Sequence, residues 1–165
     1  MNEKWKELVA VLSKMLSVYQ AILILSQEKK EILVAAKPQE LEKVTKQEES
    51  LILQVGQLED RRETLVSQLM SLHGIEEGKF SIEELSKIAE PAVVEKLELF
   101  SKEFGKVMAD IGAVNKLNTE LIQQALGFIN YNINILSQTA VGTTYAAKGQ
   151  SNEQAPKRTA FDARV

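Results

Sequence analysis

Apolar residues recur at alternating steps of three and four along most of this chain, the spacing of amphipathic α-helices with one buried stripe. In the first segment Trp5, Leu8, Leu12, Met15, Tyr19 and Ile22 form the stripe, and Val9, Leu16 and Leu23 widen it. The pattern predicts a helix continuing through Ile32 and Leu33 to about Ala36. Pro38 disfavours the α conformation at Lys37 and suits the first turn of a second helix.

The second segment has the cleanest repeat: Leu41, Val44, Glu48, Leu51, Val55, Leu58, Arg62, Leu65, Leu69 and Leu72. Leucine at most seam positions with charged flanks is the pattern of a coiled-coil-like helix. Glu48 and Arg62 interrupt the seam, where charged residues set register, and Gly56 sits inside it. Gly74 is placed as a helix-terminating residue, with His73 at the helix end. The run Glu59-Asp60-Arg61-Arg62-Glu63 reads as a solvated face with intrahelical pairs.

Ser81-Ile82-Glu83-Glu84 is a capping-box pattern opening a short helix, and Pro91 starts a third long one reaching about Thr139. Its stripe is read as Val94, Leu97, Phe104, Met108 and Ile111, with Phe100, Val107 and Val114 beside it. At ~1.5 Å per residue each long helix spans ~50–70 Å, so the helices must lie side by side to be stable. The expected fold is all-α: an elongated antiparallel bundle of three long helices, a short linking helix and a flexible C-terminal tail. The corresponding division is a bundle domain over residues 1–142 and a tail over 143–165, polar, aperiodic and containing Pro156.

Composition removes most chemistry. There is no cysteine, hence no disulfide or thiolate, and the single His73 leaves no imidazole cluster for a metal or a triad. Neither a phosphate-binding glycine loop nor a nucleophile elbow is present, so no catalytic residue, metal or cofactor is assigned and the expectation is a protein that is not an enzyme. A formal charge of −3 argues against nucleic acid as the partner. No secretory signal precedes the first helix, and its most apolar short run, Ala21–Leu25, falls far below the ~20 residues of a membrane span. A cytoplasmic protein without stable membrane insertion is therefore expected.

One interval departs from this evenly charged background. Leu121 to Ala147 contains no Asp, Glu, Lys or Arg over 27 residues, in a chain that is 26% charged. A membrane span is disfavoured because Gln123, Gln124, Asn130, Asn132, Asn134 and Gln138 would face hydrocarbon. A buried bundle helix is the plain alternative, with Leu121, Ala125, Phe128, Asn132 and Ile135 on one face and Ile129, Ile133 and Leu136 beside it. Yet the remaining positions carry Asn, Gln and Tyr131 rather than Lys and Glu, and depletion of charge marks interface cores. The reading is a helix that packs one side in the bundle and offers the other to a second chain. The partner-binding residues assigned are Leu121, Gln124, Ala125, Phe128, Ile129, Tyr131, Asn132, Ile135 and Leu136. Tyr145 and Phe161, isolated aromatics in the polar tail, are added as anchors that order on binding, against the alternative of a plain flexible tail.

Three stretches carry a resemblance to a known family. They are the Leu41–Leu72 helix with Glu48–Leu51 and Leu58-Glu59-Asp60-Arg61-Arg62, the segment Asn115–Leu136 (NKLNTELIQQALGFINYNINIL), and Tyr145, Gly149 and Phe161-Asp162-Ala163-Arg164. Together they resemble the FlgN family of flagellar export chaperones. The resemblance implies a cytoplasmic type III export chaperone that binds the C-terminal helices of the hook–filament junction proteins, prevents their premature assembly and delivers them to the export apparatus. Export-gate or export-ATPase components are the further partners it implies. The competing function is a non-catalytic dimeric coiled-coil adaptor that uses the Leu41–Leu72 seam.

Overall fold

The computed structural model describes residues 3–75 and 82–142, with side chains as far as Thr139. Among them every regular element is an α-helix: α1 (Glu3–Val34), α2 (Pro38–Leu72), α3 (Ile82–Ile88) and α4 (Pro91–Gly142). The chain divides into two compact units, Met1–Leu126 and Gly127–Val165, and α4 contributes to both. The tail expected over 143–165, with Tyr145 and Phe161, lies outside the described residues, as does the Ser81 cap.

Helix ends follow the local chemistry. Pro38 opens α2 and leaves Lys37 at φ −107°, ψ 81°, outside the α region. At the end of α2, Ile75 N–H donates to Met70 O at 3.1 Å and Gly74 N–H to Ser71 O at 3.2 Å, the paired bonds of a Schellman stop. That stop needs a left-handed residue, and Gly74 supplies it at φ +68°. The end of α1 repeats the arrangement, with Lys37 N–H on Ile32 O and Ala36 N–H on Leu33 O, both 3.2 Å. Here the left-handed residue is Ala36 at φ +54°, so α1 stops at Val34 rather than running to Ala36.

In the first unit α1 and α2 pair antiparallel. Lys4 reaches Gln68, Glu7 meets Arg61, and Lys29 meets Glu48 at 2.7 Å, partner numbers falling as α1 advances. Helix α4 advances with α1: the rings of Tyr19 and Phe104 meet edge to face at 4.9 Å, and Asn118 bonds to Ser26. The core gathers Trp5, Leu8, Leu12 and Met15 of α1 with Leu65, Val66, Leu69 and Met70 of α2. Leu85 of α3 and Val93 and Leu97 of α4 complete it. Burying each such side chain stabilises the fold by about 1.5–3 kcal/mol before conformational entropy is set against it.

Two sequence expectations change in register. The α2 seam is buried or half-buried as far as Leu69, but Leu72 is exposed, while Val66 and Met70, off that seam, are buried. In α4 the covered positions up to Asn118 are Val93, Leu97, Phe100, Phe104, Val107, Ile111, Val114 and Asn118, a 4-3 repeat, with Val94 half-buried beside it, and Met108 is exposed. The apolar pairs Val93-Val94 and Val107-Met108 fit either register, and the helices packed against α4 select the first.

The charged seam residues pair in two ways. Glu48 finds Lys29 across the α1–α2 interface, both side chains at 20% exposure or less. Arg62 instead forks onto Glu59 one turn earlier, its Nε donating to the carboxylate at 2.8 Å. That hydrogen bond holds the Glu59 carboxyl below the usual carboxylate range against the opposing effect of burial, and it raises Arg62. Arg61 does not stay within its own helix; it reaches Glu7 of α1.

By length and composition α1 is also capable of crossing a membrane, with a mean hydropathy of 2.0 over its most apolar 18 residues. Weighing only Ala21–Leu25 missed this window. In the structure one side of that window is spent on the core through Leu8, Leu12, Met15 and Val18.

Candidate functional site

The covered 4-3 seam of α4 ends at Asn118, 3% exposed, but the repeat does not end there. Continuing it in sequence gives Leu121, Ala125, Phe128, Asn132, Ile135 and Thr139, so the residues singled out from the uncharged interval lie in register with the core positions before them. The first of them belong to the first unit: Leu121 and Ile122 are half-buried, and Gln123, Gln124, Ala125 and Leu126 are exposed.

In the second unit the helix presents apolar side chains openly. Phe128 is 67% exposed, Tyr131 62%, Leu136 68% and Ile129 50%, and Ile133 and Ile135 are exposed as well. Asn132 is half-buried. At about 100° per residue, Tyr131, Ile135, Phe128, Asn132, Leu136, Ile129 and Ile133 follow one another round an arc of roughly 200°. Asn130, Asn134, Ser137 and Gln138 take the opposite arc. The assigned residues therefore form one broad apolar strip with Asn132 near its centre, and Tyr131 belongs to that strip rather than to the amide side.

The expectation that one side of this helix would be packed in the bundle is not what exposure shows, since no described residue from Gln123 onward is buried. The sequence revealed the missing charge but not the missing cover. What such a strip can do is bind: each of these side chains gains about 1.5–3 kcal/mol on full burial, and an uncharged rim adds no desolvation penalty for ions. The strip has the pattern of a helix-in-groove contact, with anchors at steps of three and four.

A second polar feature escaped the sequence reading. Ser26 and Lys29 of α1, Glu48 of α2 and Asn118 of α4 meet in one layer and line a cavity of about 300 Å³. Extending the 4-3 spacing on α1 and α4 would have found Ser26, Lys29 and Asn118, all on seam positions.

The description "FlgN protein" belongs to the family model that matches residues 1–153. This chain belongs to the FlgN family. That family is the flagellar export chaperone family, and its match takes in all four helices. Among curated proteins, the uncharacterised protein YvyG of Bacillus subtilis (strain 168) is similar, at 28% identity over 131 residues, 79% of each chain. No solved structure gives a significant match. The leucine seam of this FlgN chain, on which a dimeric adaptor would depend, is used within one molecule: Leu65 and Leu69 are 1% and 0% exposed.

Proposed function

We propose that this protein is a non-catalytic, cytoplasmic chaperone for the hook–filament junction proteins of the flagellum. It binds their C-terminal helical segments, keeps them from assembling early and delivers them to the export apparatus. Membership of the FlgN family supports the general role. The observation that carries the specific reading is the uncharged continuation of the α4 seam, with Phe128 and Ile135 exposed and Asn132 half-buried between them. An amphipathic client helix laid on this strip would cover apolar side chains that are exposed among the described residues. Exchange of the client's own assembly surface for this strip would hold it monomeric.

The test is a pull-down with the C-terminal segment of a junction protein, comparing the native chain with a Phe128→Asp/Ile135→Asp variant. Loss of binding by a variant of native helicity supports the assignment, and unchanged binding sinks it. The tail is given a separate role, with Tyr145 and Phe161 as anchors for the client or for the export gate. Deleting residues 143–165 should leave helicity intact and weaken client binding or export; survival of both removes the tail from the site.

A further inference from the structure

The polar layer at the end of the covered seam has unfinished hydrogen bonding. Asn118 Nδ2 donates to the main-chain carbonyl of Ser26 at 2.9 Å, which distinguishes the donor end of the amide from its Oδ1 end. Its Oδ1 and the Ser26 hydroxyl have no hydrogen-bonding partner within the protein, although the two residues are 3% and 1% exposed. Leaving such groups unpaired away from water costs about 1–3 kcal/mol each. Both residues line the cavity of about 300 Å³, together with Lys29, Glu48 and the half-buried Ile22 and Ile122.

The chemistry of this cavity selects its occupant. Lys29 and Glu48 already neutralise each other at 2.7 Å, so an incoming ion would find no uncompensated countercharge. Asn118 Oδ1 can only accept, whereas a serine hydroxyl can donate. A primary carboxamide meets both needs at once: its NH2 donates to Asn118 Oδ1 while its carbonyl accepts from Ser26 Oγ. Pairing with it requires Ser26 χ1 to turn and the Asn118 amide plane to rotate slightly about its broad terminal torsion. The isoleucines among the lining residues suit the apolar stem of a carboxamide side chain.

We propose that this cavity is a specificity notch which receives an Asn or Gln side chain from the client helix. The inference rests on the reading of α4 as the client's docking strip and adds to it what distinguishes one amphipathic helix from another. An apolar strip accepts many helices, whereas a site built to pair a polar group rejects the analogue that lacks it.

Two measurements test it on the full chain. Propionamide, titrated against protein with labelled side-chain amides, should shift the Asn118 resonance, whereas butanone, the same carbonyl without the NH2, should not. Equal response to both, or to neither, overturns the notch. In the second, a junction-protein C-terminal peptide should bind a Ser26→Ala/Asn118→Leu variant of native helicity about tenfold more weakly than the native chain. An unchanged Kd there, with binding lost in Phe128→Asp/Ile135→Asp, overturns the notch and leaves the docking strip standing. Weakening by the notch variant alone keeps the notch and removes the strip.

Discussion

Asn118 of α4 donates its side-chain amide to the main-chain carbonyl of Ser26 on α1 at 2.9 Å, joining helices 92 residues apart in sequence. On one side of this bond α4 presents a covered seam of valine, leucine, phenylalanine and isoleucine. On the other, the same repeat continues into side chains that are exposed or half-buried among the described residues. A buried asparagine at a seam position fixes register at some cost in stability, and here the cost is visible in the unpaired Oδ1. Asn118→Ala, which loses the bond and leaves a void, should therefore destabilise by about 1–2 kcal/mol. Asn118→Leu, which removes the unpaired oxygen and fills the space, should cost clearly less. Chemical denaturation of the two variants gives the comparison, and an equal or larger loss for leucine would contradict this account.

The left-handed residue at the end of α1 offers a simple gain. Ala36 holds φ +54° where the matching stop of α2 uses Gly74. Left-handed φ costs a residue with a Cβ about 1–2 kcal/mol, and glycine returns part of that gain through a more flexible unfolded chain. Ala36→Gly should stabilise by about 0.5–1 kcal/mol, and Gly74→Ala should destabilise by a similar amount. Thermal unfolding of both variants would show opposite shifts in Tm.

Much of this architecture can be read from the sequence, and the exceptions have physical causes. Trp5, Leu8, Leu12 and Met15 are buried as the stripe predicts, and Val9 and Val11 beside them are packed against the same core. Val93-Val94 and Val107-Met108 mislead because two adjacent apolar residues satisfy the period equally, and only the packed neighbour decides between them. The Lys29–Glu48 pair depends on how α2 is registered against α1, which no single-helix pattern encodes. In the uncharged interval the residue types of the strip are legible, whereas its exposure is not, since an apolar, uncharged run reads alike whether or not a neighbour covers it.

Lys29 and Glu48 should behave as a unit. Glu48→Ala leaves an ammonium at 20% exposure without its carboxylate and should cost about 2 kcal/mol, somewhat below the ~3–5 of a fully buried pair. Replacing both, Lys29→Met with Glu48→Leu, removes the desolvated charges together and should recover most of that loss. A double-mutant cycle in denaturant measures the coupling, and additive losses would show that the pair contributes nothing as a pair.

Glu59 supplies a pH dependence with a definite sign. Its folded-state pKa lies below the ordinary value of 4.5 because Arg62 hydrogen-bonds its ionised form. The resulting stability is present above the unfolded pKa and is lost as pH falls through the lower folded value. Glu59→Gln should thus be less stable than the native chain at pH 6, and the difference should close below about pH 4.5. Partial exposure screens this pair, so the difference should stay under about 1 kcal/mol. Unfolding at pH 6 and pH 3 checks it, and a gap that widens on acidification would reverse the assignment.

The strip on α4 makes the sharpest separation between stability and function. Phe128 and Ile135 are 67% and 43% exposed, so changing them to aspartate removes little buried area and leaves no cavity behind. Surface substitutions of this kind usually stay within about 0.5 kcal/mol, apart from the modest helix propensity cost of aspartate. The double variant should keep the Tm of the native chain within a few degrees, and because its apolar strip is broken by two charges it should bind less of a hydrophobic dye such as ANS. A core role for these two residues would instead lower Tm steeply and raise dye binding. The two outcomes differ in Tm and are opposite in sign in dye binding, and both measurements are made on the isolated protein, before any client is added.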